Sequence, residues 1–137
     1  MILGSNGFLG STLFNQLQKT IHTVLPFVRK KKKTNDIECD VGNVRNLLNA
    51  LKEYQPEVII NCAAMLDFSE NSAEEQYRVN ALAPIILASW CSKNKTHLIQ
   101  ISSSSVNGNT LEQFSSNSIE LPINNYGRTK LLADQAI

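Results

Sequence analysis

Three glycines near the N-terminus, Gly4, Gly7 and Gly10, constrain the possible folds of this chain more than any other feature. They follow the apolar stub Met1-Ile2-Leu3. They also open a segment, Phe8 to Gln18, whose apolar residues Phe8, Leu9, Leu13, Phe14 and Leu17 recur at helical spacing. A G-x-x-G-x-x-G turn between a strand and a helix has a mechanical reading. Gly4 permits a tight turn. Gly7 removes a side chain where a diphosphate would approach. Gly10 lets the helix pack close to the sheet. The helix start then offers unpaired N–H groups and a partial positive charge to an anion. A plain glycine turn shares the pattern, so the rest of the chain must decide between the two.

That rest alternates. Residues 22–28 read as a strand, weakened by Pro26 within it. Residues 37–41 read as a short strand and 43–54 as a helix with Val44, Leu47, Leu48 and Leu51 on one face. Val58-Ile59-Ile60 is a continuous apolar run, expected for a strand covered on both faces. Residues 72–94 read as a long helix with Pro84 as a candidate kink, and 97–101 as another buried strand. The polar stretch 102–118 has no periodicity and reads as a loop over a site. A last helix starts at Tyr126. Such alternation predicts an α/β fold, a Rossmann-type doubly wound parallel sheet with helices on both faces. These sheets bind ligands at the carboxyl ends of their strands, where strand order reverses. Gly4, Arg29, Asp40, Asn61 and Ser103 all fall at such ends.

Length and charge narrow the class. A chain of 137 residues, 42% hydrophobic, is expected to form one domain over 1–137 with a sizeable core. A net charge of +1 gives no global field for nucleic acid or a membrane surface. The three cysteines, Cys39, Cys62 and Cys91, are widely spaced, so neither a disulfide framework nor a metal site is expected. Reduced thiols in a cytoplasmic protein are the simplest reading. His22 and His97 flank strands and read as structural. Asp67, Glu70, Glu74 and Glu75 read as solvated surface, with Glu53 and Glu57.

Two further groups of residues could carry chemistry. Tyr126-x-x-x-Lys130 places a phenol and an ammonium on one helix face. A nearby ammonium favours phenolate, which suits a tyrosine that must move a proton near neutral pH. The run Ile101-Ser102-Ser103-Ser104-Ser105-Val106 follows a buried strand, where a hydroxyl could bond an oxygen as charge develops on it. Either pattern occurs by chance on many proteins.

In this order and spacing the motifs resemble the extended short-chain dehydrogenase/reductases. These are the sugar-nucleotide epimerases, dehydratases and 4-keto reductases, among them the dTDP-4-dehydrorhamnose reductase-like group. The match runs through GSNGFLG, CDV at 39–41, QPEVIINCAA at 55–64, EQYRVNALAP at 75–84, ISSSSV at 101–106 and PINNYGRTKLLADQAI at 122–137. The resemblance implies Ser103, Tyr126 and Lys130 as catalytic residues. Ser103 is selected by its place three before Val106. The resemblance implies cofactor contacts from Gly4, Asn6, Gly7, Phe8, Leu9 and Gly10 in the turn. Further contacts would come from Asp40 and Val41 beside the adenine, and from Cys62, Ala63, Ala64 and Ile101 at strand ends. It also implies contributions from Asn80, Tyr126 and Lys130. The expected substrate is a nucleotide-sugar, and the expected assembly is a homodimer through the helices 72–94 and 126 onward. Members that use NAD place a carboxylate at the end of the second strand. Here Arg29 and Lys30 stand there, which favours NADP over NAD. The reductase subgroup follows its catalytic hydroxyl with Asp-Tyr-Val-Phe, whereas this chain has Ser104-Ser105-Val106-Asn107. The chain stops seven residues after Lys130, so it is expected to be truncated before the C-terminal substrate-binding region. A cofactor-binding fragment or regulatory subunit without catalysis is the rival expectation.

Overall fold

The computed structural model describes residues 1–67, 69, 72–108 and 120–137. Its centre is a five-stranded parallel sheet in the order β3-β2-β1-β4-β5. The strands are β1 (Ile2–Leu3), β2 (Pro26–Val28), β3 (Ile37–Glu38), β4 (Val58–Asn61) and β5 (His97–Gln100). The chain leaves β1 in one direction through helix α1 (Phe8–Leu17) to β2. It returns past β1 through α2 (Val44–Tyr54) to β4. Right-handed crossovers in opposite directions put α1 and α2 on opposite faces of the sheet. The reversal lies between β1 and β4, where Leu3 registers with Asn61.

Strand alternation decides what each face buries. Leu3 pairs in register with Phe27 and Asn61, which puts Ile59 on the same face. There Leu3, Phe27 and Ile59 meet Leu47 and Leu51 of α2 and Val79, Leu87 and Cys91 of the long helix. Phe27, Leu47, Leu51, Ile59 and Leu87 are each fully buried, at about 1.5–3 kcal/mol apiece. Helix α2 is held at its start by Asn43, whose side chain accepts from Asn46 N at 3.2 Å.

The helix expected over 72–94 is present but changes pitch. It runs as α3 (Ala73–Tyr77), a π-turn (Arg78–Leu82) and α4 (Ala83–Asn94). Pro84 has no N–H to give Asn80 O, and the wider turn absorbs the loss, with Ala83 N bonding Arg78 O instead. The proline therefore widens a turn; no helix end falls at it. Helix α5 (Asn125–Ala136) packs against this π-turn and against a 3₁₀ turn (Ser104–Asn107).

Several expectations need correction. The second strand begins at Pro26, not at 22: proline serves as a strand's first residue because it lacks the donor, and residues 21–23 are exposed. The third strand ends at Glu38, since Asp40 turns back to accept from Gly42 N. β4 and β5 are not covered on both faces: Val58 and Ile99, each 40% exposed, lie on the face opposite Ile59, away from α2 and α4. The loop expected over 102–118 contains the 3₁₀ turn, and its remainder from 109 lies outside the described residues. Among the described residues no helix is long and apolar enough to cross a membrane.

Candidate functional site

A cleft of about 610 Å3 opens at the carboxyl edge of the sheet, over the reversal between β1 and β4. Its floor is the glycine turn. Gly4 has φ +73°, and a Cβ there would lie 2.8 Å from Ala63 N, so β1 and the end of β4 approach as closely as backbone allows. A Cβ on Gly10 would collide with Gly4 O, which fixes the start of α1 directly over the turn.

The structure brings most of the expected contact residues together. Gly4, Asn6, Gly7, Arg29, Lys30, Asp40, Val41, Cys62, Ala63 and Ala64 all line the cleft. Phe8, Leu9, Gly10, Asn80, Ile101, Tyr126 and Lys130 do not line it. Phe8 is 96% exposed, its side chain turned to solvent at the start of α1. Lys32, Cys39, Met65, Leu66, Asp67 and Val79 line the cleft without having been expected there. Met65 to Asp67 simply continue the strand-end segment, and that adjacency was the available signal. Asp67 is therefore not plain solvated surface, whereas Glu75 is exposed as expected. Asp67 is part of the wall, and Glu75 pairs with Arg29 at 2.9 Å. Glu70 lies outside the described residues.

Asn80 acts from behind the wall. It is buried, its Oδ1 accepts from Met65 N at 2.8 Å, and its Nδ2 donates to Met65 O at 2.8 Å. The second Nδ2 proton reaches Thr129 Oγ1 at 3.3 Å on α5. One amide thus ties the cleft wall to the helix that carries Tyr126 and Lys130. At the end of β4, Asn61 donates to Gln100 Oε1 at 2.8 Å and accepts from Ala63 N at 3.2 Å.

The second part of the site lies at the end of β5. Ser103 is extended and caps the 3₁₀ turn, its Oγ accepting from Ser105 N at 3.2 Å. Helix α5 starts at the cap Asn124, whose Oδ1 accepts from Gly127 N at 2.7 Å. Gly127, between Tyr126 and Lys130, meets Ser105 O so closely that a Cβ would collide with it. The hydroxyl segment and the Tyr–Lys face are thereby held against each other. Lys130 is 2% exposed, and its ammonium donates to Ile101 O. Asp134, one turn on, accepts from Ser102 Oγ. Asp134 was not expected, although Tyr126, Lys130 and Asp134 continue one i,i+4 row.

Burial governs the electrostatics. It holds the Lys130 ammonium below its ordinary pKa, opposed by the Asp134 carboxylate. It pushes the Cys62 thiol up, opposed by Lys130. Burial and then the Asp40 charge push Cys39 to about 11. All three cysteines are free thiols. Lys130 is thus a desolvated cation at the end of β5. An ammonium has three protons, and Ile101 O takes one.

Over its whole length the chain is similar to known proteins. The whole chain, residues 1–137, matches the family model described as the RmlD substrate binding domain. It is 32% identical to the dTDP-4-dehydrorhamnose reductase of Mycolicibacterium smegmatis, covering 100% of this chain and 40% of that protein. It is 31% identical to the methionine adenosyltransferase 2 subunit beta of Mus musculus, covering 100% of this chain and 42% of that one. Among solved structures, a hypothetical dTDP-4-dehydrorhamnose reductase from Sulfolobus tokodaii superposes with TM-score 0.88 at 27% identity, over 98% of this chain and 50% of that one. The dTDP-4-dehydrorhamnose reductase of Bacillus anthracis in complex with NADP gives 0.82 at 28%, over 98% and 47%. MoeE5 in complex with UDP-glucose and NAD gives 0.84 at 28%, over 98% and 46%. The chain spans about half the length, or somewhat less, of the relatives it matches.

Proposed function

The chain belongs to the RmlD substrate binding domain family, and on that premise we propose that it is the nicotinamide-binding part of a sugar-nucleotide reductase. The observation that carries the reading is the pairing of two sites at one sheet edge. A glycine-floored cleft opens between β1 and β4, and a buried lysine beside a serine segment sits at the end of β5. The cleft fits a dinucleotide. Its floor has no side chain at Gly4 or Gly7, the start of α1 supplies free N–H groups, and its far wall carries Arg29, Lys30 and Lys32. Those cations favour NADP, while Asp40 and Val41 lie at the adenine end.

A bound nicotinamide would supply or accept the hydride. The chain's own residues do the rest. The Ser103 hydroxyl donates to the substrate oxygen as charge grows on it. The Tyr126 phenol moves the proton to or from that oxygen. Lys130, desolvated at the end of β5, presents its remaining protons toward the ribose and the phenol. Asn80 keeps the wall and α5 in fixed relation.

A nucleotide-sugar is the substrate class, and reduction the reaction we favour over epimerisation or dehydration, in line with the dTDP-4-dehydrorhamnose reductase of Mycolicibacterium smegmatis. We place the protein in the cytoplasm, where its free thiols stay reduced. We also assign it a homodimer through the helices 72–94 and 126 onward. The likeness to methionine adenosyltransferase 2 subunit beta supports a second reading, a cofactor-binding subunit without turnover.

Fluorescence titration with NADPH and then NADH tests the cofactor reading. Saturable binding, tighter for NADPH, is expected; binding of neither overturns it. Turnover separates the two functional readings. With a dTDP-4-keto sugar and the full reading frame, NADPH oxidation is expected, and Tyr126→Phe should abolish it while leaving cofactor binding intact. Full activity in that variant would remove Tyr126 from the proton path. Tight binding without turnover would favour the subunit.

A further inference from the structure

We infer that Glu75 is an internal counter-ion that holds Arg29 in the absence of a 2′-phosphate and so sets how strongly the site prefers NADPH to NADH. The inference rests on the NADP reading above and goes beyond it, to a residue on a different element. Arg29 follows β2 and lines the cleft. Its Nη1 donates to Glu75 Oε1 of α3 at 2.9 Å, across 46 residues of chain. Glu75 lies one helical turn before Val79, which itself lines the cleft. The pair therefore ties the basic loop at the rim of the cleft to α3.

The loop under Arg29 is fixed from below. The Asp36 carboxylate accepts from Lys32 N and Lys33 N, both at 2.9 Å, and Glu38 accepts from Lys31 N at 3.3 Å. Lys30 and Lys32 reach the same cleft. Three cations thus converge there, and the Arg29–Glu75 bond is the side-chain ion pair that engages one of them among the described residues.

Charge decides the exchange. The side chains of Arg29 and Glu75 are 62% and 53% exposed, so water screens their pairing and it is readily given up. A 2′-phosphate carries roughly −1.5 to −2 and three acceptor oxygens, and a guanidinium fork binds it at two points. Phosphate displaces the carboxylate; the ribose hydroxyl of NADH cannot. A 2′-phosphate that takes the Nη1 side of the fork then competes with the Arg29–Glu75 bond, and the NADH ribose does not.

The test is a binding cycle on the chain with NADPH, NADH, and the probes 2′,5′-ADP and 5′-AMP, which differ by the one phosphate. Glu75→Gln should tighten NADPH and 2′,5′-ADP by about two- to fivefold and leave NADH and 5′-AMP unchanged. Arg29→Ala should weaken the phosphate-bearing ligands and cancel the gain from Glu75→Gln in the double variant. An unchanged NADPH affinity in Glu75→Gln overturns the inference. So does a gain that persists without Arg29, since it would be simple repulsion. A wild-type chain that binds NADPH and NADH equally overturns the NADP reading, and the inference falls with it. Glu75→Asp, which keeps the charge, should behave like wild type within twofold, and circular dichroism of each variant checks that the fold is retained.

Discussion

At the scale of single residues, the site depends on places where a side chain is missing as much as on those where one is present. Gly127 lets α5 touch Ser105 O. Gly127→Ala gains up to about 1 kcal/mol of helix propensity but forces α5 off the serine segment, an overpacking cost of about 1–3 kcal/mol. Urea unfolding should show a net loss, and a gain would contradict the close approach. Asp36 makes a second residue-scale case. Its two backbone bonds hold its pKa below the ordinary 3.8. A depressed carboxylate stabilises the fold above its unfolded pKa, and the contribution is lost as pH falls through the folded value. Unfolding followed from pH 6 to pH 2 should therefore show a shallower acid limb in Asp36→Asn than in wild type. Equal acid limbs would mean that the loop does not depend on the charge.

At the scale of elements, type was easier to read than extent. The spacing of Val44, Leu47, Leu48 and Leu51 identified α2, and its buried residues are Leu47, Ala50 and Leu51. The long helix was also legible, but the π-turn at Arg78–Leu82 was not. A proline announces a lost donor without saying whether the chain kinks, stops or widens a turn. That choice was made by the packing of α5 against the π-turn and by the Asn80 clamp on Met65. β2 was overrun for the opposite reason: Thr23 and Val24 suit a strand, but pairing with β1 starts only at Leu25, whose O accepts from Ile2 N at 2.9 Å. Helix ends carry a testable cost. Gln55 and Lys95 close α2 and α4 in the left-handed region, at φ +38° and +55°. Lys95→Gly should raise stability by a few tenths to 1 kcal/mol, read as an upward shift in the urea midpoint. A loss would mean that the Lys95 side chain contributes more than its backbone costs.

At the scale of the whole molecule, the cleft belongs to no single element. Its lining comes from the ends of β1, β2, β3 and β4 and from the π-turn. A ligand that binds only the folded form should stabilise it: NADPH at a hundredfold its Kd is expected to add about 2.7 kcal/mol, measurable by thermal shift. No shift at saturating NADPH would count against the cleft as the cofactor site. The proposed homodimer is tested by sedimentation velocity over a range of concentrations. A monomer at the highest concentration would exclude it for this chain.

The sequence alone determined the class of fold and the chemistry on offer, because both are written in short-range patterns. Glycine spacing sets a turn, apolar period sets helix or strand, and four-residue spacing aligns Tyr126 with Lys130. Only the tertiary structure decided which of these residues meet. It joined Asn80 to Thr129, Arg29 to Glu75, and Lys130 to Ile101 O, pairs 49, 46 and 29 residues apart. It also turned Phe8 away to solvent and brought Met65, Leu66 and Asp67 to the wall. The physical reason is sheet order: β4 inserts beside β1, and that long-range pairing, which no local spacing encodes, builds the cleft and chooses its lining.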